Sequence, residues 1–230
     1  MNTKTVGVIG GMGPAATVHF MGRVLALTPA RSDQDHLRLI VDNNSGLLDR
    51  NAAVAGNGPS PAPVLAAMAR GLQRAGAEML VMPCNTAHAF AGAIVAACDL
   101  PFIDLIEAAS DEAVSHRASR VGVLAADGCV QAGLYQHAFA RRHVDPVLPT
   151  PRAQSRFMAL LHAIKAGDRG PDVKAGMRAL AEDLVAAGAE ALVAGCTEVP
   201  LVLGPEDVPV PLTDSLDALA RATIAAARKP

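Results

Sequence analysis

The sequence predicts an α/β protein of two pseudo-symmetric doubly wound domains, each with a mainly parallel sheet flanked by helices and with the site between them. Short apolar runs alternate with segments of helical spacing, as expected of parallel strands joined by helical crossovers. The words Ala75-Gly76-Ala77-Glu78 recur as Ala187-Gly188-Ala189-Glu190, and each copy leads through an apolar run to a cysteine, Cys84 or Cys196. Both pairs stand 112 positions apart (187 − 75, 196 − 84), so the chain reads as a duplication.

Thr5-Val6-Gly7-Val8-Ile9 is the opening strand, closed by Gly10-Gly11-Met12-Gly13-Pro14. Pro14 suits the first turn of a helix, where its missing N–H costs nothing. That helix is expected over 15–27, with Val18, Met21 and Leu25 as its apolar stripe. A second strand is expected over 37–41, and the polar, Gly-, Pro- and Asn-rich segment that follows it to Pro63 should lie over the mouth of the site. Then come a helix over 62–75, a strand over 79–82, a helix over 86–98, a short strand over 102–104 and a helix over 108–116.

Arg120-Val121-Gly122-Val123-Leu124 restates the opening strand and is followed by a loop at 125–128. A helix over 131–142, a strand over 144–148, helices over 154–166 and 173–187 and a strand at 192–193 complete the second unit. Thr213-Asp214 reads as the cap of a last helix running to residue 227. The expected division is 1–105 plus the C-terminal helix of 213–230 for one domain, and 106–212 for the other.

Composition narrows the function. The 230 residues are 51% hydrophobic but only 3% aromatic, with no Trp, so the cores must be built from Ala, Val, Leu and Ile. A net charge of −2 and a pI near 6.4 argue against nucleic acid or an anionic membrane as partner. No apolar run approaches the roughly 18 residues of a membrane span. Residues 1–6 lack the pattern of a signal peptide. Four cysteines without CxxC spacing fit neither a disulfide framework nor a zinc site. A cytoplasmic protein with reduced thiols and no metal is therefore expected.

Cys84 and Cys196 end strands at equivalent points of the two units, where ligands bind in doubly wound sheets. Each precedes an expected helix, whose N-terminus should help ionise a thiol of ordinary pKa about 8.5. Two such groups on opposite faces of one carbon permit stereoinversion, one removing a proton while the other delivers one. Polar neighbours accompany both, Asn85 and Thr86 after the first, Thr197 and Glu198 after the second. Cys98 and Cys129 read as structural thiols. His88 fits a structural role better than proton transfer, and Asp104 and Asp214 occupy matching helix-cap positions. Lys165 taken by itself is a solvated helix-end charge.

Gly10-Gly11-Met12-Gly13-Pro14, Pro83-Cys84-Asn85-Thr86-Ala87-His88 and Gly195-Cys196-Thr197-Glu198, in that order and spacing, resemble the aspartate/glutamate racemase superfamily, and its aspartate racemase branch in particular. The resemblance covers essentially the whole length. It implies a cofactor-independent amino-acid racemase in which Cys84 and Cys196 are the catalytic acid–base pair. Members are often dimers, so the resemblance allows a homodimer. It further implies that Arg50 holds one substrate carboxylate and Lys165 the side-chain carboxylate. Asn85, Thr86 and Thr197 would contact the amino-acid backbone, Glu198 would join the substrate site, and the N–H groups around Gly11, Met12 and Gly13 would receive a carboxylate. The chain departs from the pattern at Ala126 and Cys129, where relatives often place threonines.

Related superfamily reactions are the main alternatives: hydantoin racemase or maleate isomerase chemistry, with arylmalonate decarboxylation disfavoured because it needs only one of the two cysteines. A dinucleotide site is more remote. Gly11-Met12-Gly13-Pro14-Ala15-Ala16 fits G-x-G-x-x-A, but Asp33 and Asp35 precede the second strand and Asp42 ends it late. A non-catalytic small-acid sensor is the remaining reading.

Overall fold

In the computed structural model, which describes residues 3–229, the chain forms two four-stranded sheets, every strand pair parallel. Met1, Asn2 and Pro230, the ends of the expected 1–105 and 213–230 stretches, lie outside the described residues. The first half contains β1 (Val6–Gly10), α1 (Pro14–Leu27), β2 (Leu39–Asn43), α2 (Arg50–Val54), α3 (Ala62–Arg74), β3 (Met79–Val81), α4 (Ala91–Val95), β4 (Phe102–Ile103) and α5 (Leu105–Ser115). The second contains β5 (Arg120–Ala125), α6 (Asp127–Gln131), α7 (Leu134–Ala140), β6 (Asp145–Val147), α8 (Pro151–Lys165), α9 (Pro171–Ala186), β7 (Ala191–Gly195), β8 (Leu212–Asp214) and α10 (Ser215–Ala227).

The sheet orders are β2-β1-β3-β4 and β6-β5-β7-β8, the same topology twice. Each sheet reverses its winding between its first and third strands, which makes the carboxyl ends of β1 and β3, and of β5 and β7, the natural ligand sites. One apolar cluster joins the halves. It takes Val6, Val8 and Val81 from the first sheet, Val121, Val123 and Val193 from the second, and Phe20, Leu105, Phe139 and Leu219 from α1, α5, α7 and α10 between them. The helix after each last strand also crosses over: α5 packs on β7 and β8, and α10 touches β3 and β4. Asp104 and Asp214 cap these two helices, accepting the Ile106 and Glu107 amides and the Leu216 amide.

Several expected elements differ. The helix over 86–98 is a 3-10 turn at Thr86–Phe90 followed by α4 only. The cause is His88, whose Nδ1 sits 2.8 Å from the Cys84 carbonyl that a regular helix would give to the His88 amide. The helix over 131–142 is shortened to α7, which Gly133 at φ 66° separates from α6, and α6 takes up Asp127 and Gly128 of the expected 125–128 loop. The second strand begins two residues late because its register follows β1 to Gly10↔Asn43. Two short elements were not expected, β8 and α2, the latter started by the Asp49 side chain accepting the Asn51 and Ala52 amides.

The apolar stripe of α1 faces outward: Val18 is 66%, Met21 38% and Leu25 59% exposed. The opposite face, Ala16, Thr17, Phe20 and Val24, is buried. Periodicity marks apolar faces but does not choose between two of them. Small Ala16 and Thr17 let the helix close on β1, where a Cβ on Gly10 would collide with Thr17.

The duplication extends to packing detail. A Cβ on Gly7 would lie 2.7 Å from Leu80 Cδ2 and 3.2 Å from Leu72 Cβ; on Gly122 it would lie 2.5 Å from Leu192 Cδ2 and 3.2 Å from Leu184 Cβ. These glycines let α3 and α9 approach the first strand of each sheet. Gly7→Ala and Gly122→Ala should each destabilise the protein by about 1–3 kcal/mol through overpacking. Urea unfolding would read this as a lower midpoint, and an unchanged midpoint would show that the neighbours yield freely.

Candidate active site

The two switch points face one another. Cys84 follows β3 after Met82-Pro83, Cys196 directly follows β7, and the loops after β1 and β5 carry Met12 and Ala126. Together they enclose a cavity of about 20 Å³ lined by Met12, Arg50, Asn51, Cys84, Asn85 and Thr86 from the first half and Ala126, Lys165, Cys196, Thr197 and Glu198 from the second. Nine of the residues singled out from the sequence therefore meet at one place. Gly11 and Gly13 do not line it, and the Gly11 amide donates to Thr17 Oγ1 at 2.9 Å, so that N–H is already committed.

The Cys84 turn is held by His88, 6% exposed. The Leu105 amide donates to His88 Nε2 at 3.0 Å, which places the ring hydrogen on Nδ1, donating to the Cys84 carbonyl. Burial holds the His88 pKa below its ordinary value, with nearby Asp104 opposing, so the ring works as a neutral strut between Cys84 and the start of α5.

Neither cysteine is followed by an α-helix; both precede 3-10 turns, Thr86–Phe90 and Val199–Leu201. The helix-terminus contribution to thiol ionisation expected from the sequence is correspondingly reduced. Burial instead pushes both thiols up. For Cys84 the Arg50 charge, the Ala87 amide and the Lys165 charge work against burial, while Glu198 adds to it. For Cys196 the Glu198 carboxylate reinforces burial, and only Lys165 and the Glu198 amide oppose it. The Cys196 thiol donates to Glu198 Oε2 at 3.1 Å, and Thr197 Oγ1 donates to the same oxygen at 3.0 Å. The sulfurs are thus inequivalent: one is surrounded by cations and an amide, the other by a carboxylate. Cys129, buried beside Cys84, is pushed up by burial and by that neighbour's charge.

Arg50 donates through Nη1 to the Leu48 carbonyl at 3.0 Å, while its Nε is buried without a partner. Lys165 ends α8 and reaches the cavity from an exposed position. Asn51 bridges the mouth, its Oδ1 accepting the Gly128 amide of α6 at 2.9 Å. Asn85, 3% exposed, accepts the Tyr135 hydroxyl at 2.6 Å and donates to Ser215 Oγ at 3.1 Å. Asn51, Tyr135 and Ser215 were not singled out from the sequence. Asn51 had a signal, its place beside Arg50; Tyr135 and Ser215 had none, lying 50 and 130 positions from Asn85.

The chain matches the Asp/Glu/Hydantoin racemase family model over residues 9–223. It is 24% identical over 223 residues to the broad specificity amino-acid racemase RacX of Bacillus subtilis, covering 95% of this chain and 96% of that one. The solved structure of the Picrophilus torridus aspartate racemase superposes with a TM-score of 0.84 at 30% identity, covering 99% of this chain and 95% of that one. The Francisella tularensis glutamate racemase in complex with D-glutamate shares the fold, with a TM-score of 0.69 at 17% identity over 96% of this chain and 80% of that one.

Replacing Glu198 by Gln removes the negative charge that disfavours the Cys196 thiolate. Iodoacetamide alkylation of Cys196, followed by peptide mass mapping, should accelerate by about threefold for each unit its pKa falls, because the gain in thiolate is partly offset by its lower nucleophilicity. Cys84, already beside Arg50, should respond less. An unchanged Cys196 rate would show that Glu198 does not hold its proton.

Proposed function

The chain belongs to the Asp/Glu/Hydantoin racemase family, and we propose that it interconverts the enantiomers of an acidic amino acid, aspartate foremost, by proton transfer between Cys84 and Cys196 without pyridoxal phosphate. The observation that carries this reading is that the two thiols, one from each half, line one cavity with two cationic side chains, Arg50 and Lys165. Two cations suit a dicarboxylate. A substrate carboxylate at Arg50 would give its unpartnered Nε an acceptor, in the paired geometry that guanidinium favours. Lys165 would take the second carboxylate.

Charge developing at the α-carbon spreads into the carboxylate held by Arg50, which stabilises the transition state. The Cys84 thiolate takes the α-proton, its S–H forming as the C–H bond breaks. The electron pair left on carbon takes the proton of the Cys196 thiol from the opposite face. Cys84 ends as thiol and Cys196 as thiolate, the state that runs the reverse inversion. Restoring the resting form needs a proton delivered to the Cys196 thiolate, and Glu198, adjacent to that sulfur, is placed to relay one from solvent.

The cavity of about 20 Å³ has room for roughly one water, so an amino acid needs the site to widen. The Asn51–Gly128 contact across its mouth is the bond that would open. A thiolate formed in the open state, where burial no longer opposes it, is trapped on closure. Ala126 offers no hydroxyl to the cavity wall, so neutral amino acids belong in the substrate screen beside the acidic ones.

The test is α-proton exchange in deuterium oxide across amino acids and dicarboxylates. Aspartate should exchange and invert, and Cys84→Ser or Cys196→Ser should each lower inversion by about 10²–10⁴-fold. Failure of every acidic amino acid to exchange would sink the substrate assignment, and undiminished inversion in either mutant would sink the mechanism.

The profile of kcat/KM reports the free enzyme, whose thiols ionise in the open state without the burial that raises them on closure. Its acid limb should lie near the ordinary thiol value of about 8.5. A limb in the carboxylate range would exclude Cys84 as the titrating base.

A further inference from the structure

We propose that Tyr135 and Ser215 are positioning residues, which with Asn85 form a buried hydrogen-bonded chain that sets the spacing of the two thiols. This rests on the two-cysteine reading above. Tyr135 donates its hydroxyl to Asn85 Oδ1 at 2.6 Å, Asn85 Nδ2 donates to Ser215 Oγ at 3.1 Å, and Ser215 donates to the Ala194 carbonyl at 2.8 Å. Asn85 directly follows Cys84, and Ala194 stands two residues before Cys196. The chain thus ties the backbone of one cysteine turn to the strand end of the other. It draws on α7, the Cys84 turn, the first residue of α10 and β7.

Its polarity is set from one end. The Ala194 carbonyl can only accept, so the Ser215 hydrogen points to it and the Ser215 oxygen is left to accept. That demands an N–H from Asn85, which turns Oδ1 toward the Tyr135 hydroxyl. A flipped amide would set its oxygen against the lone pairs of Ser215. Tyr135 and Ser215 are fully buried and Asn85 is 3% exposed, so each unmade bond would leave a polar atom without water.

Apolar residues could fill this junction without that cost. A directional chain between the two cysteine segments does what apolar packing cannot: it holds one thiol at a set distance and angle from the other. Transfer across two faces of one carbon is sensitive to that geometry, and a misplacement of about 1 Å can cost 10²-fold in rate. Asn85 correspondingly has only one Nδ2 hydrogen left for the cavity, and its main contribution is to the placement of Cys84.

Tyr135→Phe and Ser215→Ala remove single hydroxyls and keep the packing. Each should lower kcat by about tenfold with KM held within about twofold. Because both act through Asn85, the double variant should lose little more than the worse single one. A second readout does not need turnover. In a Cys98→Ser, Cys129→Ala background, dibromobimane should cross-link Cys84 to Cys196 in the parent and more slowly in the hydroxyl-deleted variants. Unchanged kcat, losses that multiply, or equal cross-linking rates would overturn the proposal. If the parent protein racemises nothing, the proposed function fails, and the cross-linking comparison alone decides the chain.

Discussion

The structure depends on the apolar layer that both sheets share. Neither sheet completes its inner face from its own half. The helix leaving β4 packs on β7 and β8, and the helix leaving β8 reaches β3 and β4. Phe20, Leu105, Phe139 and Leu219 fill the space between the two sets of central valines. Burial of this surface is the main favourable contribution to folding, and it also orients the halves so that their switch points converge. The site is a consequence of that packing: four strand ends meet because one core serves two sheets.

On this near-symmetric frame the chemistry is asymmetric. Gly7 and Gly122 make matching close approaches, and Asp104 and Asp214 cap matching helices. The residues beside the thiols differ. Around Cys84 the Arg50 and Lys165 charges and the Ala87 amide favour an anion. Cys196 donates to Glu198 and is held in its neutral form. Duplication supplies two facing thiols, and divergence of their neighbours surrounds them with different charges in the same cavity. Under the proposed proton transfer this difference would matter as much as the facing arrangement, because one sulfur would start as base and the other as acid.

Much of the fold and of the site is legible in the amino-acid sequence. Alternation of apolar runs and helical spacing specifies the layered architecture, and the recurring Ala-Gly-Ala-Glu words locate the two cysteines. Other features resist reading because they depend on distant contacts. The helix expected after Cys84 is interrupted because the His88 side chain takes the carbonyl its own amide would have used. The α1 stripe of Val18, Met21 and Leu25 is real, but docking is decided by small residues on the opposite face. Helix termini are expected to ionise the thiols, whereas their burial acts the other way.

The sequence by itself determined the fold class, the duplication, the family and the residues that could carry chemistry, because these are written in periodicity and in local motifs. Only the tertiary structure decided what surrounds each group. It buried both thiols, left Arg50 Nε without a partner, and joined Asn85 to Tyr135 and Ser215 across 50 and 130 residues of chain. Proton affinity and hydrogen-bond direction depend on burial and on neighbours within a few ångströms, and such neighbours are set by how the two halves pack.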